Sequence, residues 1–196
     1  WHRFFHDGEI HLIQCAEQLE APIEIVEKTY SNCTWQNETL NAARRTVEGQ
    51  FGGLHDFGMR LGLWGFPEEA THSGNILTKT ALQYLENHDH PRFICFFGTN
   101  SLYQEVFKEG KKENWFKLQP YAIALLLSKG IPMLWQGQEI LENYDVPDSG
   151  PARIGTLRPV RWEKFYTEEG QSTIKLYRKL IALRKNEEVF RQGSFF

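Results

Sequence analysis

Two apolar runs in this chain each end in a carboxylate, and the residues around those carboxylates are the ones equipped for chemistry. Ile10 to Ala16 leads straight into Glu17, and Ala81 to Leu85 leads into Glu86-Asn87-His88-Asp89-His90, closed by Pro91. Proline cannot extend a sheet ladder, so the second run reads as a short buried strand presenting polar groups at its carboxyl end. Where strands and helices alternate around a barrel, the carboxyl ends of the strands carry the catalytic groups. Carboxylates delivered from two strand tips suit shared acid–base work. An imidazole beside them, His88, can orient a bound hydroxyl.

Each of these residues also has a structural reading. Asp89 could cap whatever follows Pro91. Glu20 lies shortly after Glu17 and either could be an exposed loop charge; Glu17 is preferred because it ends the strand directly. His88, Asp89 and His90 resemble metal ligands by type, but successive strand residues point to opposite faces, so these three alone do not build a zinc site. Arg92 can pair with a pocket carboxylate or lie on the surface. His55-Asp56 and His72 read as ordinary loop residues, and Glu139 as a structural hydrogen-bonding group. Gly52-Gly53 lacks the spacing of a phosphate loop.

The elements that must position these groups alternate between strand and helix, which predicts an α/β fold with a parallel sheet. Strands are expected at Ile10–Ala16, Cys33–Trp35, Leu82–Glu86 and Ile131–Trp135. A short helix is expected after Pro22, where proline tolerates a first turn. Leu40, Ala43, Val47 and Phe51 fall at helical spacing, capped by Thr34 or Asn37 and stopped by Gly52-Gly53. The glycine-rich stretch from Gly52 to Asn75 is long for a connection and is expected to carry function or a small subdomain. Gly98 to Lys112 reads as irregular. Trp115, Leu118, Ala122, Leu125 and Leu126 mark a buried helix ending at Gly130. Ile174, Tyr177, Leu180, Ile181 and Arg184 describe an amphipathic helix, after which Val189 to Phe196 reads as a new strand.

About four strand–helix units compare with the eight, in roughly 250 residues, of a closed barrel. The expected architecture is therefore a partial (β/α)8 TIM barrel, about strands five to eight. Residues 1–188 would be its carboxyl-terminal half and 189–196 the start of a following β-domain.

Composition narrows the function. A net charge of −3 with scattered lysines and arginines argues against a nucleic-acid partner. Lys108, Lys111 and Lys112 are interrupted by Glu109 and Glu113, the pattern of a solvated loop. No apolar run is long enough for a membrane span; the best is Tyr121 to Leu127. Aromatics form 14% of the chain, including six tryptophans. That is more than a core of this size needs, and flat rings also suit sugar stacking. Cys15, Cys33 and Cys95 form no close pair in sequence and no metal spacing, which fits reduced thiols in a cytoplasmic protein. The chain opens on Trp1 rather than Met, as if cut from a longer one.

At these residues the sequence resembles the α-amylase family of glycoside hydrolases and transglycosylases. Asn87-His88-Asp89 is similar to the family's signature at the end of its seventh barrel strand. Gly130-Ile131-Pro132, through Trp135 to Gly137-Gln138-Glu139, is similar to the eighth strand and its following turn. Leu176 to Arg184 is similar to the last barrel helix, which precedes a small β-domain. The resemblance implies a retaining mechanism on an α-linked glucan or maltooligosaccharide. It places a nucleophilic Asp on strand four, an acid/base Glu on strand five and a transition-state-stabilising Asp on strand seven.

By that resemblance Glu17 is the acid/base, Asp89 the stabiliser and His88 the adjacent substrate contact; Asn87 and Arg92 are further candidate substrate contacts. The nucleophile has no counterpart; its strand would precede Trp1, in the missing amino-terminal half of the barrel. No organic cofactor and no metal ligand is implied at these positions. Retention needs a nucleophile and a protonated acid about 5 to 5.5 Å apart. Aromatic walls would keep the acid protonated by desolvation, and Tyr84, Phe93 and Trp135 are candidates. The isolated chain is expected to be inactive. A non-catalytic barrel that binds carbohydrate or assembles with a partner is the alternative.

Overall fold

The computed structural model describes residues 13–20, 22–50, 57–58, 61, 68–72, 75–102 and 107–192. In chain order the strands are β1 (Cys15–Ala16), β2 (Cys33–Gln36), β3 (Glu68–His72), β4 (Asn75–Gln83), β5 (Thr99–Leu102), β6 (Phe107–Gly110) and β7 (Ile131–Pro132). The α-helices are α1 (Pro22–Lys28), α2 (Asn37–Val47), α3 (Gln119–Leu127), α4 (Pro151–Gly155), α5 (Glu168–Asn186) and α6 (Val189–Gln192).

A parallel sheet runs β1-β2-β4-β7, with Cys15 opposite Cys33, Cys33 opposite Thr80 and Leu82 opposite Ile131. Only the second half of β4 belongs to this sheet. Its first half forms an antiparallel hairpin with β3, with His72 opposite Asn75. β5 and β6 make a separate hairpin. The fold is thus mixed α/β with a parallel sheet, as the sequence pattern predicts.

The helices follow from local chemistry. The side chain of Gln36 caps α2 by accepting from Glu38 N at 3.3 Å, a role expected of Thr34 or Asn37. Thr39, Leu40, Ala42 and Ala43 face inward, and Gly49 ends the helix with φ +67°, a conformation glycine adopts freely. Thr167 caps α5 by accepting from Gly170 N at 3.1 Å, with Glu168 and Glu169 in the first turn and Arg184 and Lys185 in the last. Gly170 is required by packing, since a Cβ there would lie 2.0 Å from Lys164 O.

The main core gathers Leu40, Ala43, Tyr84, Leu85, Phe93, Tyr121 and Leu125. A second cluster joins α3 to α5 through Ala122, Leu126, Tyr177 and Leu180. Polar ties cross the core too: Thr39 Oγ1 donates to Gln83 Oε1 at 2.6 Å, and Gln83 Nε2 donates to Lys129 O at 2.7 Å.

Several expectations are corrected. Strand β4 ends at Gln83, so Tyr84, Leu85 and Glu86 lie beyond the ladder; β7 likewise ends at Pro132. The 98–112 segment holds a hairpin rather than irregular chain. The expected strand over 189–196 is replaced at Val189–Gln192 by a turn of helix, with residues 193–196 outside the described set. Residues 10–12 of the first strand, Gly52-Gly53 and His55-Asp56 also lie outside the described residues. No helix among the described residues is long and apolar enough to cross a membrane.

Candidate active site

The parallel strands end together, and the chain just past their carboxyl ends carries the polar groups. Glu17 is the first residue after β1. The chain leaving β4 stays buried from Tyr84 to Asn87, then turns outward at His88 and Asp89. Glu17, His88 and Asp89 bring one ligand-type atom each to within 4.8 Å of one another. His88 Nε2 lies 3.6 Å from Asp89 Oδ2. Glu17 and His88 are exposed and Asp89 is half-buried, so all three can meet a solute. Glu20, its sequence alternative, is exposed in a bend and stands outside this group.

The turn that presents them is held from below and from one side. Asn87 Oδ1 accepts from Asp89 N at 2.8 Å, an Asx-type turn. Arg158 Nε donates to His88 O at 2.6 Å while its other nitrogens donate to Thr156 O and Arg153 O. Gln136 Nε2 donates to Arg158 O at 2.8 Å, closing the frame. Arg153 Nη2 stands 3.8 Å from Asp89 Oδ1, the nearest cation to that carboxylate among the described residues. Arg153 and Arg158 were missed in the sequence. Their signal was a glycine- and proline-rich loop that spends two arginines on contacts far along the chain.

Aromatic rings flank the imidazole. Trp35 on β2 and Trp135 after β7 each have ring centroids 5.9 Å from His88. Tyr84 stands behind Trp35, edge-on at 5.4 Å, and burial pushes its phenol well above the usual tyrosine range. Trp135 therefore stands against the imidazole, Tyr84 lies one ring behind Trp35, and Trp35 is an addition. Phe93 is not a wall: it packs in the core against Phe96, Phe97 and Tyr121.

Two expected substrate contacts change role. Arg92 is 1% exposed and committed inside the molecule. Its Nη1 donates to Glu86 Oε2 at 2.9 Å, its Nη2 to Gln136 O at 2.7 Å and Tyr144 Oη at 2.8 Å, and its guanidinium lies over the Tyr144 ring. Asn87 is 2% exposed and spends its carbonyl on the turn. Both side chains are turned into the protein, Arg92 by its ion pair with Glu86 and Asn87 by the turn. Glu86 is sealed with Arg92; burial drives its carboxyl above the ordinary glutamate range, against the lowering pull of the guanidinium. His90 lies just past the site, and burial, aided by the Arg44 charge, lowers its imidazole from 6.5.

The three converging side chains could also meet a cation, because two carboxylates and an imidazole are the donor set of a catalytic metal with an open position. Arg153 beside Asp89 works against that use, since its charge occupies the same field. The arrangement is well matched to a neutral polyol. Ionised carboxylates accept hydrogen bonds from hydroxyls and favour positive charge developing nearby, and the flat faces of two indoles suit stacking on a sugar ring.

No family model matches the chain, and no curated protein matches it. Among solved structures, 96% of the chain aligns with 36% of a noncanonic maltogenic α-amylase from Thermotoga neapolitana, with TM-score 0.56 and 22% identity. A further alignment covers 91% of the chain and 35% of the cyclic α-maltosyl-(1→6)-maltose hydrolase of Arthrobacter globiformis in complex with maltose, with TM-score 0.57 and 18% identity. The likeness is one of fold: an α/β fold of the kind found in α-amylase-type glycoside hydrolases. The chain spans about a third of the length of these two enzymes.

Proposed function

We propose that this chain is the carboxyl-terminal half of an α-amylase-type (β/α)8 barrel, and that the protein carrying it cleaves or transfers α-glucosyl units with retention. The observation that carries the reading is the meeting of Glu17, His88 and Asp89 within 4.8 Å beyond the carboxyl ends of two parallel strands. Four parallel strands are half of the eight in a closed barrel. The aligned enzymes, one named a maltogenic α-amylase and the other a cyclic maltosyl-maltose hydrolase, support the substrate class.

In this reading Glu17 protonates the leaving glycosidic oxygen and later takes a proton from the attacking water. Asp89 accepts from sugar hydroxyls and stabilises the oxocarbenium-like state. His88 orients a hydroxyl, and Trp35 and Trp135 stack on glucose rings. The nucleophilic carboxylate, required about 5 to 5.5 Å from the acid, is assigned to the amino-terminal half of the barrel.

Reducing-end release from maltotetraose by the full-length protein, read together with calorimetric binding, tests the proposal. Glu17→Gln and Asp89→Asn should each lower kcat by about 10³-fold while the sugar still binds. Wild-type protein that binds maltotetraose and never cleaves it would make this a non-catalytic carbohydrate-binding barrel. Full turnover in either variant would remove that residue from the chemistry.

A further inference from the structure

Cys15 and Cys33, separated in sequence, are neighbours in space. They are register partners on the adjacent parallel strands β1 and β2. Neighbouring strands lie about 4.8 Å apart, and a disulfide spans Cα separations of roughly 4.4 to 6.8 Å. The two thiols interact, and the Cys15 sulfur also lies 4.0 Å from Ala16 O. The two differ in access, since Cys15 is exposed and Cys33 is fully buried. The neighbouring Cys33 thiol lowers the Cys15 thiol from its usual value, against the opposing effects of burial and of the Glu17 charge. The neighbouring Cys15 thiol and burial both raise the Cys33 thiol. Cys95 has neither feature. It is buried, its Sγ faces Asn143 O and Tyr144 O at 3.6 and 3.7 Å, and burial raises its thiol.

We propose that Cys15 and Cys33 form a reversible redox modification site, with Cys15 attacking a peroxide and Cys33 resolving the product into a disulfide. An accessible thiolate beside a second thiol is the arrangement that peroxide-sensing cysteines require. In the first step the Cys15 thiolate attacks one oxygen of hydrogen peroxide; the O–O bond breaks, Cys15 becomes a sulfenic acid, and the departing hydroxide takes a proton to leave as water. In the second the Cys33 sulfur attacks the Cys15 sulfur. The S–O bond breaks, the S–S bond forms, and the hydroxyl leaves as water with the Cys33 proton. Two thiols have then supplied the two electrons that reduce the peroxide, and a dithiol reductant reverses the change. The cross-link would lie just before Glu17 on β1, but the proposal does not rest on the glycosidase reading.

The test treats the reduced full-length protein with hydrogen peroxide and maps its peptides without reduction. The expected product joins the Cys15 and Cys33 peptides, leaves Cys95 free and reverts with dithiothreitol. Iodoacetamide at neutral pH should label Cys15 at least about ten times faster than Cys95. In Cys33→Ser, dimedone should trap a sulfenic acid on Cys15, and in Cys15→Ser, Cys33 should stay reduced. Oxidation of Cys95 before the pair, or only intermolecular Cys15 disulfides with Cys33 free, would overturn the proposal. The wild-type map needs no variant, so a folding defect in Cys33→Ser leaves the test intact.

Discussion

Two sets of carboxylates in this molecule are treated in opposite ways. Glu86 and Glu142 are sealed inside. Glu86 meets Arg92 and the Phe93 amide. Glu142 Oε1 accepts from Arg161 Nε at 2.8 Å and Asn143 N at 3.1 Å, while Oε2 accepts from Arg161 N at 2.9 Å. Arg161 also pairs with Glu109. Glu17 and Asp89, by contrast, stand in reach of solvent, with His88 3.6 Å and Arg153 3.8 Å from the Asp89 carboxylate. A carboxylate whose oxygens are already occupied by protein donors can hold a fold but has nothing left to offer a substrate. The residue type is shared between the two sets; the unspent hydrogen-bonding capacity is not.

The sharpest way to break this contrast is to strip a partner from the buried set. Arg92→Met should cost about 3 to 5 kcal/mol in denaturant unfolding, because Glu86 is left buried and unpaired, and Arg92→Met with Glu86→Gln should recover much of that loss. Glu17→Gln should change stability by less than about 0.5 kcal/mol, since Glu17 is exposed and no hydrogen bond or ion pair is seen to its carboxylate among the described residues. Equal losses for Arg92 and Glu17 would erase the distinction.

A smaller effect separates the presenting frame from the presented groups. His88→Ala removes one hydrogen bond to a sugar and should raise KM for maltotetraose about fivefold to tenfold with little change in melting temperature. Arg158→Met should instead lower kcat, since it releases the carbonyl of His88 and loosens the turn that carries Asp89.

The smallest effect concerns His90, which belongs to neither set. Its folded-state imidazole titrates below 6.5, so the unfolded chain binds its proton more readily. The stabilisation is complete above about pH 6.5 and is lost as pH falls through the lowered folded value. Urea unfolding across this range should show the slope in wild type and a flatter profile in His90→Gln. Arg44, Asp148, Asp89 and Arg153 set the field around the ring and must be left intact.

How much of this could be read from the sequence depended on how local each signal was. Helix α5 was legible because Ile174, Tyr177 and Leu180 repeat on one face. Glu17 and the His88-Asp89 pair were legible because each follows an apolar run. The β3–β4 hairpin was not, although Ser73-Gly74 is a turn-forming pair; Glu68 to His72 is polar and shows no alternation. Arg92 was misplaced because its burial depends on Gln136 and Tyr144, more than forty residues away. The Cys15–Cys33 pairing was invisible for the same reason, since strand register is a property of the sheet.

The most direct test of the site uses a substrate that needs no acid. Fluoride leaves without protonation, so kcat/KM of the full-length protein for α-maltosyl fluoride should fall less than about tenfold in Glu17→Gln, against about 10³-fold for maltotetraose. Asp89→Asn should lose both, because the oxocarbenium-like state forms with either leaving group. Equal losses on the two substrates in Glu17→Gln, or unimpaired fluoride cleavage in Asp89→Asn, would contradict the account.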